Sequence, residues 1–244
     1  MKVLVTRPRD DAERTARRLS ERGYEAVVAP VLEIRPTGEA PPSLQPDALL
    51  FTSAHAVAWT AVLGGVQELP VFTVGSRTAE AARAAGFVDV RNAAGDASAL
   101  AALVQRELPT GGTLVHVAGQ NRKREPDETL RATGFHVIVW AAYRADPVAE
   151  LPEPAQGLFR DGSLDAVLHY SKRSASVLVD LVERAGLGEA LTVPRHVCLS
   201  ADVASALTVR AGLRHIVARR PDEDSLLAAL DGCSSTGRSS PLSP

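Results

Sequence analysis

The sequence predicts an α/β fold of two similar lobes, each a parallel sheet flanked by helices. Two observations predict it. Short apolar or β-branched runs alternate with helix-favouring stretches along the whole chain, the pattern of β-α-β crossovers. That pattern also repeats. "KVLVTRPRDDAERTARRLSERGYEAVVA" aligns with "GTLVHVAGQNRKREPDETLRATGFHVIVWA", and Val3 lies as far from Gly23 as Leu114 does from Gly134. "LLFTSAHAVAWT" aligns with "AVLHYSKRSASVL", and "VFTVGSRTAEAARAAGF" with "HVCLSADVASALTVRAGL". Three segments in order are followed by the same three again, which yields two pseudo-equivalent lobes.

The elements follow in order. Val3 to Thr6 read as a strand, and a helix with apolar positions at Ala12, Ala16 and Leu19 ends at Gly23. Tyr24 to Val28 begin the next strand. Residues 36–47 are Pro-rich and polar, as a linker or extended crossing would be. Ala48 to Thr52 form a strand, and a helix runs through Val57 and Val62. Val71 to Val74 are a buried strand, broken at Gly75 and Ser76 before an Ala-rich helix that Gly86 stops. A short strand near Val88 to Val90 precedes a helix over 95–107, capped by Asp96 or Ser98. Thr113 to Val117 are a strand, Ala118 to Arg124 a polar loop, and Pro126 to Thr133 a helix stopped by Gly134. Phe135 to Trp140 are a strand, and residues 141–148 are extended, Pro147 blocking helix. Ala166 to His169, His196 to Leu199 and residues 215–218 are strands; Ser174 to Arg184, Ala201 to Arg210 and Asp224 to Leu230 are helices. The Ser/Pro/Gly-rich tail, 232–244, reads as disordered.

Composition narrows the function. Aromatics are only 4%, so the core is built from Ala, Val and Leu. A net charge of −2 argues against a general nucleic-acid binder, which would be strongly basic. Cys198 and Cys233 support neither a disulfide framework nor a zinc cluster, and a reducing cytosol is the simplest setting. The strand-like opening "KVLVT" predicts no signal peptide, and no apolar run reaches the length of a membrane span.

Ligands of parallel α/β sheets bind beyond the carboxyl ends of the strands. Here those ends are Thr6-Arg7, Thr52-Ser53, Gly75-Ser76-Arg77-Thr78, the loop from Ala118 to Arg122, Ser171-Lys172-Arg173 and Ser200-Ala201-Asp202. Helix-start amides, hydroxyls and an occasional Arg suit several carboxylates or phosphates. Taken singly, each Ser or Thr is equally read as a helix cap; the shared bias of six loops points to a polyanionic ligand. No G-x-x-x-x-G-K-[ST], G-x-G-x-x-G or G-x-S-x-G motif is present. His116, His169 and His196 fall in strands and read as core or strand-end residues, while His55 lies on a loop as a candidate or a cap. Arg122-Lys123-Arg124 reads as a solvated face whose position after a strand end keeps a ligand role open. Tyr143, at the joint between repeats, either donates a proton to a leaving group or packs the hinge.

The residues that carry these features resemble the uroporphyrinogen-III synthase family over about 2–231. The opening "VLVTRPRDDAERTARRLSERGYEAVVAPVLEI", with Arg7-Pro8, Gly23 and Pro30, is similar to the family's. So are "LLFTSAHAV", the segment "VFTVGSRTAEAARAAGF" with Gly75 and Thr78, and "YRADP" with its Tyr. The resemblance implies two α/β lobes joined by two extended crossings. Residues 1–34 and 148–231 would form one lobe, 38–142 the other, with crossings at 35–37 and 143–147. It implies a cyclising lyase without cofactor or metal. The substrate would be hydroxymethylbilane, a linear tetrapyrrole with eight carboxylates that hydroxymethylbilane synthase could hand over. The protein would be a cytoplasmic monomer. Loss of water from ring A would let ring D attack through its substituted carbon, and a spiro intermediate would reclose with ring D inverted. Tyr143 matches the Tyr that assists hydroxyl departure. Ser53, Gly75, Thr78, Gly119 and Ser171 match cleft positions for the substrate carboxylates, with Arg7 a further partner. Three positions depart from the family pattern: Val203 stands where a Thr is expected, Ser200 where a Gly is usual, so that Ser200 would supply that contact, and His55 where other members often have a basic or polar residue. A catalytically silent two-lobed binding protein for a tetrapyrrole or other polyanion is the alternative.

Overall fold

A computed structural model describes residues 1–235 of the 244-residue chain. The elements are β1 (Lys2–Val5), α1 (Arg9–Glu21), β2 (Glu25–Val28), β3 (Leu32–Pro36), β4 (Ala48–Phe51), α2 (Ala54–Val57), β5 (Val71–Thr73), α3 (Ser76–Ala84), β6 (Val90–Asn92), α4 (Ala97–Glu107), β7 (Thr113–Gly119), α5 (Asp127–Ala132), β8 (His136–Pro147), α6 (Glu153–Arg160), β9 (Ala166–His169), α7 (Lys172–Arg184), β10 (Arg195–Cys198), α8 (Ala201–Ala204), β11 (His215–Val217) and α9 (Glu223–Ser235). They divide into two compact lobes. The first comprises Met1–Glu33 and the described residues from Asp146 onward; the second is Ile34–Ala145.

The first lobe holds a five-stranded sheet in the order β11-β10-β9-β1-β2, the second a six-stranded sheet in the order β3-β8-β7-β4-β5-β6. The pairings β1–β2, β1–β9, β9–β10 and β10–β11 are parallel, as are β7–β8, β7–β4, β4–β5 and β5–β6. The two orders superpose repeat on repeat: β1 takes the place of β7, β9 that of β4, and β10 that of β5. Each lobe therefore combines segments from both copies of the sequence repeat, and β3 is an extra edge strand of the second lobe.

Helices cover both faces of such a sheet, so its strands are apolar throughout rather than alternating with polar residues. In the second lobe Leu49, Phe51, Val71, Val115 and Val117 line one face. Ala48, Leu50, Phe72 and Leu114 line the other, against Leu100, Val104 and Leu130 of α4 and α5. In the first lobe Val3, Val5, Leu168 and Val197 pack with Leu19 of α1 and Leu226, Leu227 and Leu230 of α9. Helix ends are set by the same device in both copies. At Gly23 (φ +79°) and Gly134 (φ +93°) the chain turns left-handed, which glycine does without strain. The next residue, Tyr24 or Phe135, then donates its N–H back to Leu19 or Leu130.

Several boundaries differ from the sequence expectations. Tyr143 does not follow a strand ending at Trp140; β8 runs unbroken for 12 residues through it. Leu32–Pro36 form a strand at the start of what reads as linker, α6 has no counterpart in the sequence reading, and the short strand near Val88 lies at Val90–Asn92. The helices after β4 and β10 are one α-turn each, continued as 3-10 turns over Ala58–Leu63 and Ser205–Leu207. Apolar burial, not helical period, decides these short segments. Of the predicted disordered tail, Gly232 to Ser235 continue α9, and 236–244 lie outside the described residues.

The first lobe also buries a histidine pair. His169 Nε2 and His196 Nδ1 are 2.8 Å apart, and His196 Nε2 lies 2.9 Å from the Leu191 carbonyl. A carbonyl only accepts, so His196 Nε2 holds the hydrogen and its Nδ1 accepts from His169. His169 Nδ1 is then a bare, buried acceptor without a partner. Burial pushes both imidazoles below their ordinary value of 6.5, His169 furthest, with each ring's neighbouring histidine (His196 for His169, His215 for His196) adding to the effect. Below pH 6.5 the unfolded chain therefore gains protons that the folded lobe resists, and stability falls with falling pH. At the equivalent strand positions the second lobe carries Phe51 and Val71. Converting the pair to that arrangement, His169→Phe with His196→Val, is expected to reduce the drop in Tm between about pH 7.5 and about pH 5.5. Thermal melts followed by circular dichroism test this, and an undiminished drop would place the acid sensitivity elsewhere.

Candidate active site

The predicted site residues lie at the carboxyl edges of both sheets: Ser53, Gly75, Thr78, Gly119 and Tyr143 in the second lobe, Arg7, Ser171 and Ser200 in the first.

In the second lobe, Ser53 follows β4 as the N-cap of α2, its Oγ accepting the His55 N–H at 3.3 Å. Its own hydroxyl hydrogen is thereby available to the neighbouring Tyr143 phenol, whose pKa it lowers. The Tyr143 ring lies against Gly119 across a bulge in the β7–β8 ladder, and the Gln120 N–H donates to the Tyr143 carbonyl at 2.8 Å. A Cβ on Gly119 would meet Tyr143 ring atoms at 3.0 and 3.1 Å, so any larger residue there would press the ring aside by a few tenths of an ångström. Burial raises the phenol's pKa and the Ser53 hydroxyl only partly opposes this. Tyr143 is thus held as a neutral phenol that can donate a hydrogen bond. The ring of His55 is 6.3 Å away, tilted 58°.

Tyr143, Ser53 and Gly119 border a cavity of about 320 Å³, which Thr52, Arg122 and Lys123 also line. The triplet of bases is therefore split in role: Arg122 and Lys123 face the cavity, while Arg124 is exposed and pairs with Glu128 at 3.2 Å. On the neighbouring strand end, Gly75 is the N-cap of α3 and supplies no side-chain cap. Space above it is open, with nothing within 4 Å of where a Cβ would lie. Thr78, in the first turn of α3, is buried. This helix start leaves room and donors for an anion. Among the described residues no cluster of His, Cys, Asp or Glu could hold a metal ion.

The first lobe treats the equivalent positions differently. Ser171 caps α7, accepting the Ser174 N–H at 3.1 Å and sharing a 2.8 Å bond with the Ser174 hydroxyl. Ser200, at the place of Gly75, caps α8 by accepting the Val203 N–H at 3.3 Å. Its oxygen thus occupies the amide that a ligand would use. Arg7 is engaged within the lobe. Its guanidinium lies 3.3 Å from Asp11 and 3.2 Å from Glu223, 3.3 Å from the Thr15 hydroxyl, and 3.9 Å from the centre of the Tyr170 ring. Glu223 also accepts from Thr15 (2.6 Å), Tyr170 (2.7 Å) and Arg18 (2.7 Å). Burial alone would raise its pKa, but these donors and the Arg7 charge hold it at about 2. Arg7 in this structure ties β1 and α1 to α9.

Sequence reasoning missed two residues beneath the cavity. His116, read as core, is fully buried, and Asp127 had no role; yet His116 Nδ1 is 2.6 Å from Asp127 and its Nε2 is 3.0 Å from Thr52 Oγ1. The signal in sequence was slight: a histidine where the equivalent strand of the repeat has Val5.

The contact between Tyr143 and Gly119 is directly testable. Gly119→Ala is expected to leave the fold intact and to move the ring towards water, lowering the pH at which Tyr143 ionises. Ultraviolet titration against Tyr143→Phe as blank reads this; an unchanged midpoint would mean that the ring does not rest on Gly119.

Comparison with known proteins agrees with this fold. The crystal structure of uroporphyrinogen-III synthetase from Helicobacter pylori 26695 is 15% identical, with 95% of this chain and 98% of that one covered at a TM-score of 0.64. A mutant uroporphyrinogen III synthase from the extremely thermophilic bacterium Thermus thermophilus is 17% identical, covering 97% of this chain and 99% of that one at 0.52. At such identities the likeness is one of fold. No curated protein matches the sequence. A family model described as uroporphyrinogen-III synthase HemD matches residues 13–228, most of the chain, and the chain therefore belongs to the uroporphyrinogen-III synthase family.

Proposed function

We propose that this chain is a uroporphyrinogen-III synthase that cyclises hydroxymethylbilane with loss of water and inversion of ring D. The observation that carries this reading, beyond family membership, is the neutral phenol of Tyr143 at a cavity edged by hydroxyls and bases. In this reading Tyr143 donates a hydrogen bond to the departing hydroxyl of ring A. Burial suits it to that role, because a phenol kept protonated always has its hydrogen to give. The open first turn of α3, with Gly75 and Thr78, takes a substrate carboxylate, and Ser53 and Gly119 contribute to that lobe's site; Ser171 and Ser200 offer their hydroxyls to substrate carboxylates at the edge of the first lobe. Arg7 acts from within the first lobe by fixing β1 and α1. Most of the catalysis is positional: the bilane is held curled so that ring D attacks through its substituted carbon. No helix among the described residues is long and apolar enough to cross a membrane. Hand-over from hydroxymethylbilane synthase, a monomeric state and a cytoplasmic setting complete the proposal.

The test is isomer composition. Hydroxymethylbilane generated in situ closes to the type I isomer without the enzyme; with this protein an excess of type III is expected after oxidation and separation of the uroporphyrins. Folded protein giving only type I would overturn the synthase reading, and bilane binding in that sample would favour the silent binding protein. Tyr143→Phe is expected to lower kcat by roughly a hundredfold with KM little changed. Thr78→Ala is expected to weaken substrate binding by about 1.5–3 kcal/mol, the worth of one hydrogen bond to a charged group. Unaltered kinetics in either variant would remove that residue from the site.

A further inference from the structure

The second lobe buries a histidine–carboxylate pair at positions that are apolar in the first. His116 lies in β7 with no exposed surface, and its Nδ1 is 2.6 Å from Asp127 Oδ1 at the start of α5. Arg122 Nε stands 3.4 Å from the other carboxylate oxygen. Across the ring, Nε2 is 3.0 Å from Thr52 Oγ1. Thr52 and Arg122 both line the cavity beside Tyr143. In the register of the repeat, His116 and Asp127 correspond to Val5 and Ala16 of the first lobe. Those two positions of the strand and helix are thus apolar there. A buried polar pair of this kind adds little or no net stability over apolar residues, so packing does not account for this one.

Valence decides what the pair can do. The Asp127 carboxylate only accepts, so His116 Nδ1 carries a hydrogen, and Nε2 is the one variable nitrogen. When Nε2 is bare it accepts the Thr52 hydroxyl hydrogen, and Thr52 turns lone pairs to the cavity. When Nε2 carries a hydrogen it donates to Thr52 Oγ1, and the Thr52 hydrogen is released towards the cavity. Only the second state suits a carboxylate. The charged groups facing the ring are Asp127 of α5 and, behind it, Arg122. The flanking strands β4 and β8 present Leu50 and Val139 at the paired positions. Lys123 and Glu125 stand around the cavity, and α2 brings His55 against Tyr143.

We propose that Asp127, His116 and Thr52 form a relay that couples binding of a substrate carboxylate at the Thr52 edge of the cavity to uptake of a proton by His116. His116 and Asp127 are positioning residues: they act through the direction of the Thr52 hydroxyl. The relay rests on the tetrapyrrole reading above, and it adds the residue that senses the ligand's charge and the proton that accompanies it.

Calorimetric titration with uroporphyrinogen III, the octacarboxylate product, kept reduced, tests the relay. Repeating it near neutral pH in buffers of different ionisation heat counts the protons taken up per ligand. The wild-type protein is expected to take up more protons than Thr52→Val, which keeps the shape of the side chain and removes its hydroxyl, and Thr52→Val is expected to bind roughly tenfold more weakly. His116→Gln is expected to lose the same increment of uptake; Thr52→Val, at a half-buried position, carries the test should that variant not fold. Equal uptake by wild type and Thr52→Val, with binding intact, would overturn the relay and leave the synthase reading standing. Failure of the folded wild-type protein to bind the product at all would overturn both.

Discussion

A parallel strand covered by helices on both faces has only its two ends left for polar chemistry. That constraint organises this protein. Val3 to Val5, Ala48 to Phe51 and Ala166 to Leu168 are buried along their lengths. Each run then passes at its carboxyl end into a hydroxyl, a base or a glycine: Thr6-Arg7, Thr52-Ser53, Tyr170-Ser171. The helices that follow begin at the same edge, so unpaired amides and polar side chains gather there. Chemistry is confined to those edges because nowhere else on the sheets can it be solvated.

The two lobes use this shared edge differently. The second keeps it open. Gly75 leaves α3 without a side-chain cap, Gly119 makes room for the Tyr143 ring, and the cavity beside them is bordered by Thr52, Ser53 and Arg122. The first lobe closes its edge upon itself. Ser171 and Ser200 cap their own helices, and Arg7 is gathered with Thr15, Tyr170 and Arg18 around Glu223. Tyr170 and Thr52 occupy equivalent places in the repeat. One joins a network that fastens α9, and the other joins His116 and Asp127 beneath a cavity. The same frame occurs twice, and different side chains at a few edge positions give a closed network in one lobe and an open cavity in the other.

A reaction that needs water expelled and one ring carbon chosen over another asks for little acid strength and much positioning. The second-lobe site fits that demand. Tyr143 is fixed from two directions, by the Gly119 backbone beneath the ring and by the backbone hydrogen bond from Gln120. Its hydrogen is kept by burial, beside a Ser53 hydroxyl that accepts the His55 amide hydrogen.

The sequence by itself determined the α/β class, the internal repeat, most strand and helix cores, and the loops that bear the chemistry. These follow from local order: apolar runs of strand length, Ala-rich stretches, and glycines at helix ends act over a few residues. Tertiary structure alone decided which loop residues meet. Tyr143 sits in one unbroken strand because its ladder partners in β7 hold it there, and it rests on Gly119, far from it in sequence, across a bulge. Arg7 reads as an anion ligand in sequence but is claimed by Glu223, from the far end of the chain. His116 reads as core, and it is buried, but the nearness of Asp127 and Thr52 gives it a second meaning. Such pairings arise from strand order and helix placement, which bring together atoms whose separation along the chain carries no local signal.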